Sequence, residues 1–318
     1  MSSTARRLFA ISVAARLPLP MLSIGLLVHV QRVTGSFGAA GVVAAVFACA
    51  LGTGSPVLAR IADRRGQTAV LIGGALVAGA ALAAIAALPD GAPSGAIVAL
   101  AALLGLAVPP VGECWRALLP SVAGPAAYAA DATAIELTFV AGPPLVLLAG
   151  NLASTGLALA GAGALMVAGT AAFAAHPASR GWRPAAADRP RGGSLRAGGM
   201  RTLVLVMAAV GVVFGATEVG VTAAAGAAAG PLLGIWGAGS LVGGLVAARS
   251  GAALPFVLAA LAAGHLALAL ATGSPLALGV IIGLAGSTIA PTFAIVYALV
   301  ERTAPAGTLT EAFAWLST

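Results

Sequence analysis

Long uncharged apolar runs, separated by short arginine-bearing turns, constrain this chain more than any other feature. The clearest case surrounds the hexapeptide Ala62-Asp63-Arg64-Arg65-Gly66-Gln67. Ser36–Ala59 before it and Thr68–Pro89 after it carry no charge at all. As helices, both are long enough to cross a hydrocarbon core about 30 Å thick, which takes about 20 residues. A helix bonds its own peptide groups, which is the condition for lying in lipid. Two such runs joined by a tight, basic, glycine-containing turn read as a membrane hairpin.

Composition carries the same reading through the whole chain. Charged residues make up 8% of it and apolar residues 60%, where ordinary soluble domains have about 25% charged residues. So few charges cannot cover that much apolar surface in water. The net charge of +7 comes from arginines in the connections between apolar runs. No basic face with interleaved aromatics is present, so nucleic-acid binding is excluded. Cys49 and Cys114 lie in or beside apolar runs without metal-ligand spacing, which argues against a zinc site or a disulfide framework. There is no nucleophile elbow, phosphate loop or HExxH sequence, so neither an enzyme nor a cofactor is expected. Arg6 and Arg7 precede an apolar stretch, but Arg16, Pro18 and Pro20 interrupt it. It reads as a first membrane helix rather than a cleaved leader.

Runs of about twenty apolar residues predict ten spans near 8–30, 36–59, 68–88, 94–115, 127–149, 154–175, 201–223, 229–248, 252–272 and 275–300. Turn residues punctuate them, as in Pro89-Asp90-Gly91-Ala92-Pro93. With these spans, fourteen of the sixteen arginines fall on one side, Arg32 falls on the other, and Arg16 lies inside the first helix. Positive charge stays in the cytoplasm, which predicts a cytoplasmic N-terminus in a multi-pass protein of the inner (plasma) membrane. The polar stretch His176–Gly199 reads as a flexible linker. The predicted organisation is an N-terminal six-helix bundle at 1–175, a cytoplasmic linker at 176–199, and a bundle at 200–318 holding four helices and the start of a fifth. An internal repeat supports two like-oriented halves. Gly54-Ser55 and Arg64-Arg65-Gly66 recur as Gly239-Ser240 and Arg249-Ser250-Gly251, both at an offset of 185 residues, with Ala248 in place of Asp63. Parallel repeats of this kind build transporter halves.

The 62–67 turn resembles the signature loop between helices 2 and 3 of the major facilitator superfamily. Asp63, Arg64 and Gly66 occupy the pattern's positions, while Ala59 replaces its first glycine and Gln67 and Thr68 its trailing basic pair. Ala15–Pro18, Trp115–Pro120, Tyr128–Glu136, Gly215–Val219 and Glu311–Leu316 also resemble bacterial drug-efflux members of that superfamily. The resemblance implies an all-α membrane protein with a two-bundle fold, ten complete transmembrane helices and the start of an eleventh, hence C-terminally incomplete. It implies that Asp63 docks on the start of helix 11, here with part of its docking site missing.

Charges inside spans each need a reason, at roughly 2.5–3.5 kcal/mol by insertion scales. Arg16 in helix 1 and Glu136 in helix 5 lie at similar depth and are expected to pair, as a strut or a coupling switch, with Asp131 nearer the surface. Glu218 in helix 7 is a candidate proton carrier or an interfacial carboxylate. Gly142-Pro143 in helix 5 resembles the Gly-Pro element of family antiporters. Helix 4 has no basic residue before Arg116, which weakens proton antiport. Gly239 and Gly243 fit a small-residue packing pattern. The expected function is secondary active transport, most simply export of small amphipathic molecules, with protons as a candidate coupling partner. The alternatives are an uptake carrier for a sugar-like solute, for which the spans offer few polar groups, and a truncated, non-transporting fragment.

Overall fold

The computed structural model describes residues 3–124, 127–183, 193–225, 228–247, 253–271 and 274–317. Every regular element among them is helical: α1 (Ser3–Arg16), α2 (Pro18–Thr34), α3 (Phe37–Arg65), α4 (Gln67–Ala86), α5 (Ser94–Ala107), α6 (Val111–Val122), α7 (Ala127–Leu152), α8 (Thr155–Ala175), the short α9 (Pro177–Gly181), a 3-10 turn at Ser194–Arg196, α10 (Gly198–Ala225), α11 (Ala229–Ala247), α12 (Leu254–Leu268), α13 (Pro275–Gly286), α14 (Ile289–Thr303) and α15 (Leu309–Ser317). Nine apolar helical stretches among the described residues are long enough to cross a bilayer, and Leu254–Leu268 is a shorter tenth. Three of the nine join two helices end to end: α1 with α2, α5 with α6, and α13 with α14. The first two breaks lie at prolines, Leu17-Pro18 and Val108-Pro109-Pro110, where the missing N–H and fixed φ interrupt the ladder.

Several helices outrun the apolar runs that announced them. α3 continues from Ala59 through Arg65, because arginine is a good helix former and a helix about 43 Å long extends beyond the hydrocarbon core. It stops at Gly66, whose φ of +93° suits glycine alone. At both described ends of the predicted linker a serine is buried, Ser179 in α9 and Ser194 in the 3-10 turn. Arg189 and Arg191, and the second copy of the repeat at Ala248–Gly251, lie outside the described residues.

The chain forms two units. Unit 1 draws on residues 1–122, 141–196 and 304–318; unit 2 draws on 123–140 and 197–303. Unit 1 is centred on Leu22, Leu26, Leu82, Ile85, Leu104 and Leu159, all almost completely buried. Its helices approach closely where glycine removes a side chain. A Cβ on Gly54 would lie 2.5 Å from the Leu106 carbonyl, and one on Gly105 2.5 Å from that of Phe47. In unit 2, the Gly239 and Gly243 positions press against the backbone of Gly283 and Ser287. Both numbers rise together, so α11 and α13 run parallel. Thr133 faces Gly244, and Val140 faces Gly237; one number rises as the other falls, so α7 and α11 run antiparallel. Leu76, Leu103, Leu157, Leu245 and Leu266 stay exposed, which suits a surface facing lipid rather than water.

Candidate functional site: a capped helix start in unit 1

The first turn of α15 needs acceptors for its free N–H groups. Thr308 holds the position before the helix, and its carbonyl accepts the first intrahelical bond, from the Ala312 N–H at 2.9 Å. Its hydroxyl, which would usually cap the helix, instead donates to the Pro305 carbonyl at 2.7 Å. Asp63 supplies the cap from another helix. One carboxylate oxygen accepts the Thr310 N–H at 3.2 Å and the other the Glu311 N–H at 2.8 Å. Asp63 is 2% exposed, so the helix start is where its negative charge finds stabilisation.

Glu311 turns its own carboxylate away from its backbone. It accepts from Arg60 Nη2 at 2.7 Å and from the Ser194 N–H at 3.3 Å. Arg60 and Asp63 are three residues apart on α3 and therefore share a face. That face carries both members of the contact with α15, one to a side chain and one to the backbone. Gly193 stands at φ +66°, and a Cβ there would collide with Arg60 Nη2 and the Glu311 carboxylate.

Neutral groups extend the network. Gln67 Nε2 donates to the Cys114 carbonyl at 3.1 Å, and Gln67 Oε1 accepts the Ser179 hydroxyl at 3.1 Å. The residue standing in the pattern's basic position therefore ties α4 to α6 and α9 by hydrogen bonds. Arg116 lies 3.6 Å from Glu113 and donates to the Ser317 hydroxyl at 3.5 Å. Arg64 is exposed.

No protein-family model and no curated protein matches the chain. Solved structures do. A bacterial homologue of the iron transporter ferroportin, in an outward-facing state, aligns with a TM-score of 0.75 and 14% identity over 99% of this chain and 88% of that one. The human organic anion transporter MFSD10 (TETRAN) aligns with a TM-score of 0.75 and 16% identity over 99% and 90%. The chain shares the fold of these two transporters. It is a multi-pass membrane protein.

Within this transporter fold the remaining expected residues are distributed as follows. Arg16 ends α1 in unit 1, and its guanidinium bonds the Ser12 carbonyl at 3.1 Å and the Ser12 hydroxyl at 3.3 Å. Glu136 belongs to unit 2, where it hydrogen-bonds Ser240, whose hydroxyl oxygen also accepts the Ala290 N–H at 3.2 Å. Asp131 is completely buried on α7. Glu218 is exposed on α10. Gly142 marks a close approach: a Cβ there would sit 2.9 Å from Pro20 Cγ and 3.2 Å from the Met21 nitrogen, so this position of the Gly142-Pro143 element packs α7 against α2.

Sequence reasoning missed Arg60, Gly193, Ser194 and Glu311 as a group. One signal was available, since Thr308-Leu309-Thr310-Glu311 has the capping-box pattern that announces a helix start. It also missed His29, which is buried in α2. His29 Nδ1 lies 2.9 Å from the Thr155 hydroxyl and Nε2 lies 3.1 Å from the Ile85 carbonyl. Arg32 Nε donates to the same Thr155 hydroxyl at 3.0 Å, and Arg32 pairs with Asp90 at 3.4 Å. Nε2–H donates to the Ile85 carbonyl, and Nδ1 and Arg32 share the Thr155 hydroxyl. The imidazole thereby joins α2, α4 and α8.

Proposed function

We propose that this chain is a secondary active transporter that exports small amphipathic molecules across the inner (plasma) membrane by alternating access, with its N-terminus in the cytoplasm. The observation that carries the reading is the Asp63 carboxylate seated on the first turn of α15 in a transporter fold. Such a contact, made by one side chain on a helix start, can form and break as a unit. It is suited to bias an equilibrium between two states of a carrier. The arginine distribution supports the orientation. The apolar spans, poor in Asn, Gln and charged groups, support an amphipathic rather than a sugar-like substrate.

The halves 1–175 and 200–318, joined by 176–199, are the repeat units that would rock about the substrate. Protons are the proposed coupling ion, with Glu218 as the carrier. Its carboxylate is exposed within an apolar helix, where such a group needs a functional reason.

The test is reconstitution into liposomes with an imposed pH gradient or membrane potential. Cationic, zwitterionic and anionic amphipathic dyes, and a panel of sugars, are offered in separate assays. Gradient-driven movement of a dye, lost in Asp63→Ala, is the expected result. Movement of a sugar but no dye would replace export by uptake, and movement of neither would overturn the transporter reading.

A further inference from the structure

We infer that the end of the linker, Gly193-Ser194, is a working part of the α3–α15 contact: a strap that must be released before α15 can leave Asp63. The chain passes from unit 1 to unit 2 between Arg196 and Ala197 and returns between Thr303 and Ala304. On the outgoing strand, the Ser194 N–H donates to Glu311, and Ser194 is fully buried. On the returning strand, the Thr310 and Glu311 N–H groups sit on Asp63. Glu311, on the returning strand, thus joins the outgoing strand to α3: its carboxylate accepts the Ser194 N–H and its own N–H donates to Asp63. Within unit 2 the same two strands are pinched again, because a Cβ on Gly199 would lie 2.5 Å from Thr303 Cγ2.

The fit at the strap is tight and specific. Gly193 adopts a left-handed conformation that only glycine takes without strain, and its missing side chain is where Arg60 and Glu311 meet. Ser194 opens the 3-10 turn Ser194–Arg196, leaving its N–H free for an outside acceptor. Moving α15 off α3 would carry the Glu311 carboxylate with it and strip the Ser194 N–H and Arg60 of their acceptor while they remain buried or half-buried. Release of the helix cap and release of the linker strand are therefore one event. The inference requires no knowledge of the substrate and stands apart from the proposed export activity.

Hydrogen exchange at the Thr310 and Glu311 amides of the full chain in lipid nanodiscs tests it. These amides bond Asp63 and do not touch Gly193, so a change in their exchange reports coupling through the strap. Gly193→Ala places a methyl group on Arg60 and Glu311. Ser194→Pro removes the donated N–H together with the serine hydroxyl. Both variants are expected to exchange these two amides roughly tenfold faster than the parent, the effect of losing one hydrogen bond to a charged group. Helical content and the exchange of α5 and α8 should remain at parent level. Gly41→Ala, made where nothing lies within 4 Å, should leave the exchange of these two amides at the parent rate. If either folded variant exchanges Thr310 and Glu311 at the parent rate, the strap is a passenger and the inference is overturned. If Gly193→Ala does not fold, Ser194→Pro decides by itself.

Discussion

Removing the Asp63 carboxylate should loosen the start of α15 by an amount the geometry bounds. Two N–H bonds reach it, at 2.8 and 3.2 Å. Hydrogen bonds to charged groups contribute about 1.5–3 kcal/mol each, which sets an upper limit of several kcal/mol. The carboxylate is almost fully desolvated, and that cost disappears with it. Replacing a capping Asp by Ala typically costs about 0.5–2 kcal/mol. The lower figures govern here, because the desolvation cost offsets part of the gain. We expect Asp63→Ala to weaken the contact by about 2 kcal/mol, or roughly 30-fold, at 1.4 kcal/mol per factor of ten. Asp63→Asn keeps one acceptor oxygen and turns its NH2 toward the second N–H. It should lose one bond and weaken the contact roughly tenfold. Exchange of the Thr310 and Glu311 amides reads this opening directly, since protection scales with the free energy of local opening. The order parent, Asn, Ala should appear at these two positions, with the amides in the middle of α5 and α8 unchanged. Exchange in Asp63→Ala within twofold of the parent would refute the view that Asp63 holds the helix start.

Three further outcomes follow from other parts of the molecule. Gly243→Ala, which would drive a methyl group into the Ser287 backbone, should lower stability by about 1–3 kcal/mol in equilibrium unfolding from mixed micelles, whereas Gly73→Ala, in open space on α4, should raise it by about 0.5–1 kcal/mol; equal effects would contradict the packing of α11 on α13. Thr155→Val removes the hydroxyl shared by His29 and Arg32 and should cost about 1–3 kcal/mol, chiefly through the buried imidazole nitrogen left unpaired; an unchanged melting temperature would show that the α2–α4–α8 junction does not depend on it. Glu218→Gln in reconstituted protein should abolish pH-gradient-driven export while leaving substrate binding intact, and retained pH-driven transport would remove Glu218 from the coupling role.

The sequence made the hairpin at 62–67 legible because a charged, glycine-ended turn between uncharged runs has one physical solution in lipid. It marked Asp63, Arg64 and Gly66 through the resemblance of that turn to a known signature loop, while the positive φ of Gly66 came only with the structure. It did not show Arg60 as part of the site, since an arginine near the end of a membrane helix already has a sufficient explanation in its place outside the hydrocarbon core. Thr308–Glu311 carried a capping-box pattern, yet the structure uses it differently, with Asp63 in place of the Thr308 hydroxyl and with the Glu311 carboxylate turned to the linker.

By itself, then, the sequence determined the bilayer as solvent, the helices as the elements and the approximate bounds of most spans. Those follow from local composition, and every peptide group in lipid must be bonded within its own helix. The tertiary structure decided which faces meet. α4 is apolar all round, so nothing in its pattern distinguishes buried Leu82 from exposed Leu76. It also decided the partners of the charged groups. Asp63 and Glu311 are 248 residues apart, and Ser194 and Glu311 are 117 apart. Contacts at such separations leave no local period in the sequence and arise only when α3, α15 and the end of the linker are brought to one place.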